Sequence, residues 1–93
     1  MFIASAQVEI FLYDSQSLKE KRQVVKSLIA KISNQFNVSI AEVDLMDIWQ
    51  RASIGLACVS NASVHAQKQL ESILEHMEED IRFEITQILR QLY

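Results

Sequence analysis

A chain of 93 residues, 49% hydrophobic with a net charge of -3, has room for one hydrophobic core. Its lone cysteine, Cys58, excludes an internal disulfide, and its lone glycine, Gly55, excludes a glycine-rich phosphate loop. No apolar run approaches the roughly 20 residues that cross a bilayer, and no basic stretch precedes an apolar N-terminus, so one cytoplasmic domain over residues 1–93, without membrane contact, is expected.

Phe2 to Tyr13 alternates with period two, which predicts a long strand. Phe2, Ala4, Ala6, Val8, Ile10 and Leu12 share one face. Ile3, Ser5, Gln7, Glu9, Phe11 and Tyr13 share the other. Ser17-Leu18-Lys19-Glu20 is a capping box: the Ser17 hydroxyl accepts from the Glu20 amide and Glu20 reaches back to the Ser17 amide. Leu18, Val25, Leu28, Ile29, Ile32 and Phe36 then recur at helical spacing, with most lysines opposite. The helix should end between Asn34 and Asn37, where asparagine tolerates left-handed geometry.

Val38 to Val43 reads as a short strand, Asp44 to Ile48 as a hairpin loop longer than two residues, and Trp49 to Ser60 as a second long strand. In that strand Ala52, Ile54, Leu56 and Cys58 face the core. Trp49, Arg51, Ser53, Gly55, Ala57 and Val59 face away. A glycine inside a strand is locally unfavourable, so a bulge or a close approach over Gly55 is expected. Ser60 or Asn61 caps a second helix with a stripe of Val64, Leu70, Ile73, Leu74 and Met77. Ile81 to about Leu92 alternates again, with Ile81, Phe83 and Ile85 together, and slips at Ile88-Leu89, which suggests a bulge or a fraying end.

The order β-α-β-β-α-β is the ferredoxin-like split βαβ pattern, an α+β fold: a four-stranded antiparallel sheet with both helices on one face. The uncovered face then carries Ile3, Phe11, Tyr13, Trp49, Arg51 and Val59. An apolar and aromatic patch of that kind requires a partner, and an isologous homodimer is the favoured occupant.

The first helix is basic, through Lys19, Lys21, Arg22, Lys26 and Lys31. The second is acidic, through Glu71, Glu75, Glu78, Glu79 and Asp80. Lys19, Lys21, Arg22 and Lys26, with Arg51 nearby, form the candidate phosphate-contacting set for RNA. Glu42 and Arg51 lie on neighbouring strands and are expected to pair structurally, more readily than to act as a catalytic acid with an orienting arginine. Asp44 and Asp47 read as turn residues. With Trp49, the group Glu42, Asp44 and Arg51 is a weaker candidate for a small-ligand or catalytic site.

Other chemistry is argued against. Cys58 falls on the core face with no base to activate it. His65 and His76 stand at opposite ends of one helix, too far apart to chelate, so neither a metal nor another cofactor is expected.

The stretches Ser17-Leu18-Lys19-Glu20-Lys21-Arg22, Phe36-Asn37-Val38-Ser39, Ala41-Glu42-Val43-Asp44, Trp49-Gln50-Arg51-Ala52 with Gly55, and Val59-Ser60-Asn61 resemble the YlxP-like family of small bacterial proteins of uncharacterised function. The resemblance covers roughly Phe2 to Glu79. It implies a ferredoxin-like fold, a cytoplasmic setting and, because family genes commonly neighbour those for translation initiation and ribosome-binding factors, an association with the ribosome or RNA. It supplies no catalytic residues. The chain departs from the usual members at Leu45-Met46, where they carry more polar residues.

Overall fold

The computed structural model describes all 93 residues. Its elements run β1 (Phe2–Leu12), α1 (Leu18–Gln35), β2 (Ser39–Asp44), β3 (Arg51–Ser60), α2 (Ser63–Glu78) and β4 (Phe83–Leu92). The strands order as β2-β3-β1-β4, every neighbouring pair antiparallel. This is the expected ferredoxin-like arrangement.

Alternation decides what is buried. The even-numbered residues of β1 (Ala4, Ala6, Val8, Ile10, Leu12) and of β3 (Ala52, Ile54, Leu56, Cys58) form one cluster. Val25, Leu28 and Ile32 of α1 join it, as do Ala66, Leu70, Ile73, Leu74 and Met77 of α2. Both helices therefore cover one face of the sheet, and the odd-numbered residues of the central strands line the other.

Two single-residue bulges adjust the sheet. In β4, Gln87 faces Glu9 and Ile85 faces Ile10, so Thr86 is the extra residue. Its hydroxyl donates to the Glu9 carbonyl at 3.2 Å. The bulge moves the core face from odd to even numbers, so that Phe83, Ile85 and Ile88 all meet the core. The slip in the sequence pattern at Ile88-Leu89 is the downstream trace of this bulge. In β2, Glu42 faces Ile54 and Asp44 faces Ser53, leaving Val43 as the second bulge.

Gly55 lies beside that second bulge. A Cβ there would stand 2.9 Å from Val43 Cγ1, so the isopropyl group occupies the space a side chain would need.

Several local expectations are corrected. Glu20 accepts from the Gln16 amide at 2.6 Å, not from Ser17, although its own amide does donate to the Ser17 hydroxyl at 3.1 Å. α1 ends through Phe36 in an extended conformation, so no left-handed asparagine is used. The N-cap of α2 is Ala62, without a side-chain cap, because the Ser60 hydroxyl takes the Ala62 amide instead. Val64 is exposed, since it sits half a turn away from the Ala66–Leu70 stripe. Ile81 precedes β4 and is 90% exposed. There the Asp80 carboxylate accepts two bonds from the Arg82 guanidinium, at 2.9 and 2.6 Å. The Arg82 bonds hold the Asp80 carboxyl below its ordinary range.

Two predictions follow from these contacts. Gly55→Ala should destabilise the protein by about 1 kcal/mol through overpacking against Val43 and should become neutral or stabilising in a Val43→Ala background, read by urea denaturation. A stabilising effect of Gly55→Ala alone would remove the packing explanation. For Asp80, a depressed folded pKa means its stabilisation is complete above the unfolded value of about 3.9 and is lost as pH falls through the lower folded value. Asp80→Asn should therefore lower stability at pH 7 and leave it nearly unchanged near pH 2. An equal deficit at both pH values would assign its effect to something other than charge.

Candidate functional site

A buried polar arrangement centres on Lys21. Leu18, Lys21, Val25, Leu28 and Ile32 recur at alternating steps of three and four, so Lys21 lies on the inward stripe of α1. Its side chain is fully buried. Nζ donates to the carbonyls of Leu45 at 2.8 Å, Met46 at 3.1 Å and Arg51 at 3.2 Å. Glu42, on the core face of β2 beside Ile40, brings Oε2 to 3.0 Å from the same nitrogen. An ammonium has three hydrogens, and three carbonyls take them. The carboxylate is thus a charge partner that receives no directed hydrogen bond, and Oε2 is buried without another donor.

All three carbonyls belong to the β2–β3 hairpin or its exit. The turn begins at Leu45, whose φ of 60° is the chain's one left-handed non-glycine conformation. A leucine in that region costs about 1–2 kcal/mol, and here the conformation accompanies a carbonyl aimed at Lys21. The Ile48 amide donates back to Leu45 at 3.1 Å, and the Leu12 amide donates to Gln50 at 2.7 Å. The loop spans residues 45–50, and β3 starts at Arg51, not Trp49.

These facts rearrange the candidate residues. Lys21 is excluded from the phosphate-contacting set because it is inside the protein. Lys19, Arg22 and Lys26 stand exposed on the outer side of α1, three and four positions apart, and none is in an ion pair. Arg51 lies on the opposite, open face of the sheet, where it pairs with Glu9. The expected Glu42–Arg51 pair does not form, because the two side chains project from opposite faces of the sheet. The candidate ligand site of Glu42, Asp44, Trp49 and Arg51 falls apart for the same reason.

The open face is also corrected. Trp49 leaves it, sitting in the hairpin loop. Ile3 pairs with Val59 at one end and Phe11 with Arg51 at the other, eight residues or about 26 Å away. Between them Gln7 donates to the Ser53 hydroxyl at 2.9 Å, and Glu9 pairs with Arg51. The apolar residues Ile3, Phe11, Tyr13, Trp49 and Val59 therefore do not form one patch. Phe11 and Tyr13 meet edge-on with ring centroids 5.8 Å apart. Desolvation first, and the Glu84 carboxylate second, hold the Tyr13 phenol above its ordinary value.

Two further reactive side chains, Cys58 and His76, are structurally occupied. Burial pushes the Cys58 thiol up, away from the thiolate a nucleophile needs. His76 bonds the Ser72 carbonyl through Nδ1 at 2.9 Å and packs edge-on against Phe36.

Comparison with known proteins agrees with the fold and with the resemblance noted above. The family described as "Protein of unknown function (DUF503)" matches residues 3–90. The chain is similar to a Bacillus subtilis (strain 168) protein described as "Uncharacterized protein YlxP", at 46% identity over 72 residues, covering 77% of this chain and 78% of that one. It is also similar to a de novo designed protein with a ferredoxin fold, solved by NMR, at a TM-score of 0.59 and 19% identity, covering 99% of this chain and 85% of that one. That last likeness concerns the fold alone.

Lys21→Met should cost about 3–5 kcal/mol, because it leaves Glu42 and three loop carbonyls facing no cation. Adding Glu42→Leu should restore only part of this, since the carbonyls stay unmatched; chemical denaturation of both variants is the measurement. Full restoration would show that the carbonyl bonds contribute nothing.

Proposed function

Since the chain belongs to the DUF503 family, its activity must be argued from its own surfaces, and we propose that it is a non-enzymatic cytoplasmic module that binds RNA or a ribonucleoprotein such as the ribosome through the outer face of α1. The observation that carries this reading is the unpaired, exposed row of Lys19, Arg22 and Lys26. Over seven residues of helix the row is about 10 Å long, enough for two or three successive phosphates of one strand. Glu20, the acidic residue among them, is engaged with the Gln16 amide. The acidic exposed side of α2, with Glu71, Glu75, Glu78 and Glu79, repels phosphate and confines the contact to one half of the helix layer. A non-enzymatic role is favoured by the pairing of Lys21 with Glu42 and of Arg51 with Glu9, which leaves Asp44 and Asp47 at the hairpin with no base or nucleophile to work beside.

A second reading keeps the self-association expected from the sequence. It would use the end of the sheet where Ile3, Val59 and Tyr93 gather, as the Ile3 and Tyr93 backbones bond each other twice at 2.8 Å. Light scattering at high protein concentration, with Val59→Asp as control, decides whether that end holds a second copy.

For the RNA reading, three phosphate contacts predict that log K falls with log salt at a slope of roughly -2 to -3. Replacing Lys19, Arg22 and Lys26 together by Glu should abolish binding of a labelled structured RNA in fluorescence anisotropy and co-sedimentation with ribosomes. Arg51→Glu, on the opposite face, should leave both nearly unchanged. Absence of binding at low salt, or binding indifferent to the triple reversal, would overturn the proposal.

A further inference from the structure

The hairpin loop displays three large apolar side chains within four residues: Met46, Ile48 and Trp49 are 52%, 42% and 55% exposed. Exposed apolar side chains scattered singly are ordinary, but a group including tryptophan and methionine matches the composition of interface cores. The loop beneath them is held in place. Lys21 grips the carbonyls of Leu45, Met46 and Arg51 from inside, and the Leu12 amide ties Gln50 to β1. Binding therefore orders little further backbone, which favours affinity.

Charge indicates the occupant. Asp44 precedes the apolar group and Asp47 lies within it, and no basic residue lies between 43 and 50. The cation that bonds the loop and the one that follows it in the chain are neutralised within the protein, Lys21 by Glu42 and Arg51 by Glu9. The unpaired charge at the tip is therefore negative. Phosphate is repelled there, and two copies meeting tip to tip would repel each other.

We infer that the hairpin tip is a docking surface for a basic amphipathic segment of a partner protein, with Met46, Ile48 and Trp49 against its apolar face and Asp44 and Asp47 against its lysines or arginines. The inference is independent of what α1 binds. It concerns a different surface and the opposite charge.

Trp49 is the chain's one tryptophan, so its emission reports on the tip directly. The intact protein is titrated with an 18-residue amphipathic Leu/Lys peptide, with its Leu/Glu counterpart and with a uridine 12-mer, none containing tryptophan. A saturable blue shift with the Leu/Lys peptide, weakened by added salt, is expected. In Met46→Asp/Ile48→Asp, whose replaced side chains face solvent and whose fold is checked by circular dichroism, the Kd should rise at least about tenfold. No shift with the Leu/Lys peptide, an equal response to the Leu/Glu peptide, or a response to the RNA alone would overturn the inference. So would an emission shift on concentrating the protein by itself, which would indicate a second copy.

Discussion

The ammonium of Lys21 is the interaction on which the hairpin end of the molecule depends. Taking a charge out of water costs several kcal/mol unless its geometry is nearly complete. Here it is complete in hydrogen bonds and compensated in charge: three carbonyls accept, and Glu42 stands 3.0 Å away. α1 supplies this nitrogen, and β2, the loop and the start of β3 each bring an atom to it. A hydrophobic residue in its place would keep the inward stripe of α1 apolar but would leave the loop carbonyls unmatched. The lysine thus fixes a particular loop conformation, including the left-handed Leu45, where an apolar contact would tolerate several.

The sheet divides the remaining charge. On the helix side, the outer faces of α1 and α2 have opposite signs. On the open side, Glu9 is shared between Arg51 and the Thr86 hydroxyl, so the middle of that face is polar and internally satisfied. The two bulges serve this division. Val43 closes over Gly55 on the open face. Thr86 turns β4 so that Ile85 and Ile88 both reach the core.

Much of the fold was legible because it depends on short-range periodicity. Twelve alternating residues in the first strand, a capping serine at position 17 and the absence of proline leave few arrangements open. The candidate site was legible only in part, and two of its misreadings share one cause. Lys21 occupies the inward stripe of α1, between Leu18 and Val25 at the correct spacing, and Glu42 alternates with Ile40 on the core side of β2. Residue type points both side chains to the surface, whereas their positions in the alternation point them inward. Trp49 was misplaced for a different reason. Its strand begins two residues later than alternation suggests, and a loop held by carbonyl bonds from another element leaves no pattern in its own residues.

The sequence by itself determined the element order, the core faces of β1 and β3, the basic and acidic helices and the family, since each is written in local spacing or in residue identity. Tertiary structure alone decided who pairs with whom. The register between β2 and β3 shifts at Val43, and this bulge, together with the packing of α1 over β2, brings Glu42 to Lys21 and turns it away from Arg51. Ion pairs across a sheet are set by which face each side chain leaves from, and a single inserted residue changes that face. The tip of Met46, Ile48 and Trp49 was decided the same way: its residues are readable in the chain, but their joint exposure follows from a buried ammonium contributed by a helix 24 residues earlier.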